Sequence, residues 1–451
     1  MPCHWNFGTN NSLTPKIKLP AREMLISHVV SSLHIYWEKN AEHVSSLPIR
    51  NCQNGFKIII PLKLVAVDLP SWASCYGIRN QILVPLECTD EEENSVDWRT
   101  VDWWLAIFLM LEAWHERTWE KFHGSIHSYS YRLKGWDSRA WDHAWVNRIC
   151  LFLRRWYTES FKTSRDFFGY LPKPELILSH DVDAVCKTYP IRIKQSAFNF
   201  FNSLNLLLRL RIGRSLRKLT KGIRFLVGNE DWWIFDKLLE IEKSAGVTAV
   251  YNFYSDARPK NLKRWLMDPD YDMKSDRLKS LLGQLKGAGH KIGLHPTFDA
   301  WNDSELLEKQ KRTLEKSLGS QVTYCRQHWL RFSWNDTWQS QARAGLTHDS
   351  TLMFNDRSGF RNSCATSWQP WNQLECKAHG ITSTTSVVMD SHLFDYNNFN
   401  THERNEYMRS WIKECKEVRG KTYLLWHPQT LTADYGWSDG FLMMLKAIAD
   451  E

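Results

Sequence analysis

At 451 residues the chain is too long for one compact core: about 150 residues per domain suggests two or three, although a single barrel can reach about 250. Its hydrophobic and charged fractions, 43% and 24%, are those of a soluble globular protein, with no internal repeat and no low-complexity segment. The formal net charge of +8 is modest for this length and does not by itself argue for nucleic acid.

The stretch from Met1 to Pro20 has no apolar run of signal-peptide type. A β-like run from Phe56 to Val67 leads to an acidic turn at Thr89 to Asn94, and a helical block is predicted from Val101 to Phe122. The most apolar stretch, Trp103 to Leu111, is about half of what a bilayer crossing needs. A Trp/Asp segment, Gly135 to Trp145, precedes a second helix over Trp145 to Tyr157. Trp136, Trp141 and Trp145 are spaced roughly helically, so core packing is the default reading and a sugar platform the alternative. The same two readings apply to the 24 tryptophans as a set. Pro172 and Pro174 then disfavour continued helix, which places a boundary there: a smaller α+β accessory domain over 1–170, followed by an α/β domain over 171–451.

Beyond the boundary, short apolar runs recur, each ending in polar or ionisable residues and separated by helical stretches. They begin at Glu175, Thr248, Lys291, Val322, Leu346, Thr385 and Thr422. Strands alternating with helices predict a mainly parallel α/β architecture, and in barrels of this kind the reactive groups stand at the C-terminal strand ends. Those ends carry Asp181, Asp183, His295, His328, Asp349 and His427. Ten cysteines are scattered without a CxxC pair, which fits free thiols in a reducing compartment. The expectation is a soluble, cytoplasmic protein.

Two motifs carry most of the chemistry. In Ser179-His-Asp-Val-Asp183 the two carboxylates are close enough to share one site, one binding a cation and the other taking a proton from water. In Gly289-His-Lys-Ile-Gly-Leu-His-Pro-Thr-Phe-Asp299, His295 falls at a strand end, whereas His290 precedes the strand and reads as structural. With Cys325-Arg-Gln-His328 and Leu424-Leu-Trp-His427, the inventory suits metal-assisted hydrolysis.

The order of these motifs resembles the polysaccharide deacetylase (NodB-homology) family, carbohydrate esterase family 4 in the broad sense, from about Glu175 to the C-terminus. Asp349-Ser-Thr-Leu with Gly359-Phe-Arg361 resembles one branch of it, and the N-terminal part, with Asp102-Trp-Trp, looks like an accessory region preceding such domains. The resemblance implies a distorted (β/α) barrel of about seven strands. It also implies Asp181 as general base, Asp183 and His295 as metal ligands, Arg326 as the arginine orienting the base and His427 as general acid. Asp349, Arg361 and Trp329 would contact substrate. The family's second metal histidine is replaced here by Asp299; His328 is favoured to fill the vacancy, with Asp299 as the alternative, because His328 preserves a His/His/Asp set suited to zinc, with cobalt or nickel as alternatives. The implied substrate is an N-acylated sugar or a lipid-linked glycan precursor. Hydrolysis of another linear amide, or a catalytically silent glycan- or partner-binding scaffold, is the competing reading.

Two segments stand apart. Residues 209–224 contain no acidic residue and interleave Leu and Ile with cations: either a solvated basic helix, or a peripheral contact with an anionic membrane surface or glycan, with no nucleic-acid module beside it. Membrane contact would place the protein at the periphery of the inner membrane. Asp231-Trp-Trp-Ile-Phe-Asp resembles a helix start near the substrate face.

Overall fold

The structure, a computed structural model, describes residues 18–74, 77–89 and 96–449. Most of the expected acidic turn, and Cys3 and Cys75, lie outside the described residues. The eight described cysteines are free.

In the first part of the chain, strands β1 (Leu64–Asp68), β2 (Gln81–Pro85) and β3 (Val96–Asp97) form a small sheet in the order β2-β1-β3. The predicted β run is thus extended sheet only at its end. The helical block is two helices, Trp103–Leu111 and Trp114–His123, broken at Ala113, which adopts φ 41°. Asp102 caps the first by accepting the Leu105 N–H at 3.0 Å. That helix is apolar on every side and every residue in it is buried, which a helix can sustain only inside a core. Trp136, Trp141 and Trp145 are buried in the same core, the packing role that helical spacing favoured.

The larger sheet supports the site. Its strands are β4 (Glu175–Val182), β5 (Ala249–Phe253), β6 (Lys291–Leu294), β7 (Tyr324–Cys325), β8 (His348–Asp349), β9 (Ser367–Trp368), β12 (Thr382–Thr384), β13 (Ser386–Met389) and β14 (Lys421–Leu425). β10 (Trp371–Asn372) and β11 (Lys377–Ala378) form a separate antiparallel pair. Pairing runs β13-β14-β4-β5-β6-β7-β8-β12, all parallel, with β9 added antiparallel on β12. The two ends of this series are one stretch of chain: only Thr385 separates β12, which pairs with β8, from β13, which pairs with β14. Counting β12 and β13 as one bent strand closes the series into a ring of seven parallel strands, the distorted barrel expected.

Helices cover the outside of the ring, and one continuous hydrophobic core joins residues from the first 170 positions to the barrel. Buried polar links cross as well. Arg148 Nη2 meets Glu414 at 2.6 Å, Arg361 Nη2 meets Glu116 at 2.8 Å, and the Tyr36 hydroxyl donates to Val418 O at 2.6 Å.

Candidate metal centre

Parallel pairing brings the C-terminal ends of the ring strands to one face. There β4 contributes Asp181 and, one residue beyond it, Asp183; His295 follows β6, Arg326 and His328 follow β7, and His427 follows β14. One ligand atom each from Asp183, His295 and His328 lie within 4.8 Å of one another. His295 Nε2 is 3.3 Å from Asp183 Oδ1, His328 Nδ1 is 3.5 Å from the same oxygen, and the two nitrogens are 2.8 Å apart.

The donor chemistry of these three residues fits a divalent cation. His295 Nδ1 lies 2.7 Å from Arg326 O and His328 Nε2 lies 2.7 Å from Met267 O. Each carbonyl can only accept, so it fixes the tautomer and leaves the other ring nitrogen with a lone pair. With both rings neutral, two nitrogen lone pairs and a buried Asp183 Oδ1 converge on one point. Burial disfavours the His295 imidazolium, but Asp181 and Asp183 outweigh it and raise it, so without a cation a proton on His295 occupies that point. Three acceptors facing one another repel unless a cation or a proton lies between them. Backbone carbonyls behind both imidazoles also match how ligating histidines are held. Burial pushes the His328 imidazolium down to about 4, so His328 is neutral and able to ligate. Burial opposes ionisation of Asp183, but His295, His328 and His427 outweigh it and hold the carboxyl below its ordinary range.

Asp299 is turned away from this cluster. Its Oδ1 accepts from Thr297 Oγ1 at 2.7 Å and pairs with Arg258 at 3.2 Å, so the geometry groups His328, not Asp299, with the other two.

Asp181 is buried beside the cluster. Its Oδ1 accepts from Asn252 Nδ2 at 2.9 Å and from Arg326 Nη1 at 3.2 Å. Arg326 is itself fixed by Ser179 Oγ, Ser350 O and Ser386 Oγ at 2.8, 3.1 and 3.1 Å. Burial raises the Asp181 carboxyl, yet Arg326, His295 and His427 bring it below its ordinary value, so it is ionised. Gly293 has a steric reason: a Cβ there would strike the side chain of Asn252 in the neighbouring strand, the group that holds Asp181.

On the opposite side, His427 Nε2 is 3.7 Å from Asp183 Oδ2, and its Nδ1 donates to Asp390 Oδ1 at 2.8 Å. Burial disfavours the imidazolium, but Asp390, then Asp183 and Asp181, raise it to about 10. Sequence reasoning missed Asp390 and Asn252. Both follow or lie in runs read as strands, Thr385–Asp390 and Thr248–Tyr254, and the strand-end rule applied to His427 would have found Asp390.

Two expected substrate contacts are corrected. Asp349 is buried, and its oxygens accept from Trp338 Nε1 at 3.0 Å, Gln341 Nε2 at 2.8 Å and Thr351 Oγ1 at 2.5 Å. Trp338 and Gln341 lie on the helix Thr337–Arg343, so this carboxylate ties the barrel to its outer layer. Arg361 is buried against Glu116 and Ser128 of the N-terminal part. Neither side chain is free to meet a ligand. Trp329 differs: it is 44% exposed, its Nε1 donates to the same Met267 O that holds His328, and it and Leu330 adopt φ 57° and 47°. Left-handed backbone at two successive bulky residues is strained, and here the strain presents an indole beside the candidate ligand His328.

No family profile matches the chain, and no curated protein sequence matches it. The chain is distantly similar to solved structures of polysaccharide deacetylases and carbohydrate esterase family 4. A polysaccharide deacetylase candidate from Mycobacterium smegmatis aligns over 62% of this chain and 86% of its own at 13% identity, with a TM-score of 0.37. The chitin deacetylase of the fungal pathogen Colletotrichum lindemuthianum aligns over 61% and 84% at 11% identity and TM-score 0.32. A family 4 pseudoenzyme from Bacillus anthracis aligns over 62% and 63% at 10% identity and TM-score 0.30. These overlays are loose, and the seven-strand ring rests on the strand pairing itself.

Proposed function

We propose that this protein is a metal-dependent hydrolase that removes the acyl group from an N-acylated sugar. The observation that carries the reading is the acceptor triangle of Asp183, His295 and His328, flanked by ionised Asp181 on one side and protonated His427 on the other. A divalent ion held by that triangle, zinc by the preference of a His/His/Asp set, would polarise the acyl carbonyl and acidify water towards a pKa of ~7. Asp181 accepts the proton of the attacking water: Arg326 and Asn252 hold its Oδ1, and the Arg326 charge keeps it ionised against burial. His427 gives its Nε2 proton to the departing amine nitrogen. Asp390 holds the opposite ring nitrogen and balances the imidazolium charge. Trp329 offers the flat apolar surface on which a sugar ring rests.

The test is metal content together with acetate release from a panel of N-acetylated sugars and linear amides. Stoichiometric metal with release from sugars is expected. A metal-free protein that keeps all three ligands and releases nothing would favour the silent scaffold, and release from linear amides alone would reassign the substrate.

A further inference from the structure

We propose that the helical hairpin of residues 189–227 docks this protein onto the surface of an anionic lipid bilayer. The hairpin, helices Tyr189–Leu208 and Ile212–Val227, is inserted between β4 and β5. Its polarity is inverted relative to a hairpin built for water. The two helices meet through small and polar residues: Ser203 and Ser215 hydroxyls each donate to the other's backbone carbonyl at 2.8 Å, and Ser196 Oγ donates to Gly222 O at 2.9 Å. A Cβ at Gly222 would strike the Phe200 ring, so the approach requires glycine. Close packing over small residues is how helices pair where lipid surrounds them.

The large apolar side chains point away from the protein. Phe201, Leu204 and Leu208 on the first helix are 64%, 56% and 75% exposed; Leu216 and Ile223 on the second are 55% and 48% exposed, and Leu210 at the bend 85%. Three cations of the second helix turn towards the barrel instead: Lys218 lies 3.7 Å from Asp395, Arg224 3.6 Å from Asp434, and Lys221 over the Tyr435 ring. A contiguous apolar face of this extent, left to water, marks an interaction surface.

Charge selects the occupant. Between Asp183 and Glu230 there is no Asp or Glu, and besides the cations held against the barrel Arg209, Arg211, Arg214 and Arg217 stand exposed around the bend. Arg211, Arg214 and Arg217 line one shallow depression at the bend. A second copy of the chain would bring like charge to this face. An anionic headgroup layer brings opposite charge, and the acyl boundary beneath it receives the apolar side chains. No described helix is long and apolar enough to cross a membrane, so the hairpin lies in the interface. Its roots are fixed: Lys187 Nζ and Trp232 Nε1 both reach Asp434 Oδ2, at 2.8 and 2.9 Å. Lys194 Nζ donates to Trp265 O at 2.9 Å, in the helix whose last residue, Met267, holds His328. Docking would therefore set the mouth of the metal centre beside the bilayer. The inference stands without the deacetylase reading.

Flotation of the full-length protein with vesicles of phosphatidylcholine, alone or with about one-third phosphatidylglycerol, tests it. Recovery on the phosphatidylglycerol vesicles is expected, with at least about a tenfold loss on phosphatidylcholine alone. The same loss is expected in a Phe201→Ser/Leu204→Ser/Ile223→Ser variant and in an Arg211→Gln/Arg214→Gln/Arg217→Gln variant. All these side chains are exposed, so melting temperature and hydrolysis of a soluble N-acetylated sugar stay unchanged, which separates failure of docking from failure of catalysis. Equal recovery on both vesicles, or undiminished binding by the apolar-face variant, overturns the proposal. So does a lipid-free dimer that the apolar-face variant abolishes, because a second copy then covers the face.

Discussion

The Asp390 carboxylate grips His427 twice: Oδ1 takes the ring Nδ1 at 2.8 Å and Oδ2 takes the backbone N–H at 2.9 Å. Thr430 Oγ1 donates to Oδ2 as well, at 2.9 Å, so the ring has one orientation, with Nε2 towards Asp183. Asp390→Asn keeps the shape and removes the charge that supports the imidazolium. We expect kcat to fall by about 10²-fold with KM and metal content nearly unchanged. An unchanged kcat would remove His427 from the role of acid.

The proposed ligand set separates His328 from Asp299, the alternative weighed from the sequence. His328→Ala removes one corner of the acceptor triangle, and metal affinity is expected to fall by more than about 10²-fold. Asp299→Ala breaks only the contacts with Thr297 and Arg258 and is expected to leave affinity within a few-fold. Titration calorimetry of the metal-stripped proteins distinguishes them, and the reverse ranking would return Asp299 to the metal.

Arg361→Gln tests the corrected role of that residue. Breaking its buried pair with Glu116 leaves an unmatched charge and is expected to cost about 3–5 kcal/mol of stability. The fraction that remains folded should keep its kcat/KM. A stable protein with raised KM would restore Arg361 to the substrate.

Stability should depend on Glu414 in acid. Burial raises its carboxyl, but hydrogen bonds from His143 and Arg148 and the Arg148 charge bring it down to about 2, against an ordinary value of 4.5. A carboxyl depressed in the folded state binds fewer protons folded than unfolded. Its contribution is therefore fully present above about pH 4.5 and is lost as pH falls towards about 2. Glu414→Gln should lower the melting temperature at neutral pH, and the gap to the unmutated protein should close across that window. A gap independent of pH would mean that shape, not charge, makes this contact.

Most strands of the ring were legible because they are short apolar runs ending in a polar residue, and the motif residues Asp181, Asp183, His295, Arg326 and His427 all came to one face. Closure of the ring was not legible: β12 reads Thr-Ser-Thr, without the apolar pattern that marks a strand, and is held by pairing with β8. Asp349 and Arg361 were over-read for a related reason. A polar residue at a strand end can face the ring axis or satisfy the layer behind, and only the partners Trp338, Gln341 and Glu116 show which. The hairpin's basic run was visible, but its inverted polarity depends on which face meets the barrel.

In the proposed reaction Asp181 takes the proton from water at a metal held by Asp183, His295 and His328. Asp181→Asn, with metal content measured alongside turnover of an N-acetylated sugar, separates that role from metal binding. We predict full metal occupancy with a loss of at least about 10²–10⁴-fold in kcat. Full activity with bound metal would mean that another group takes the proton.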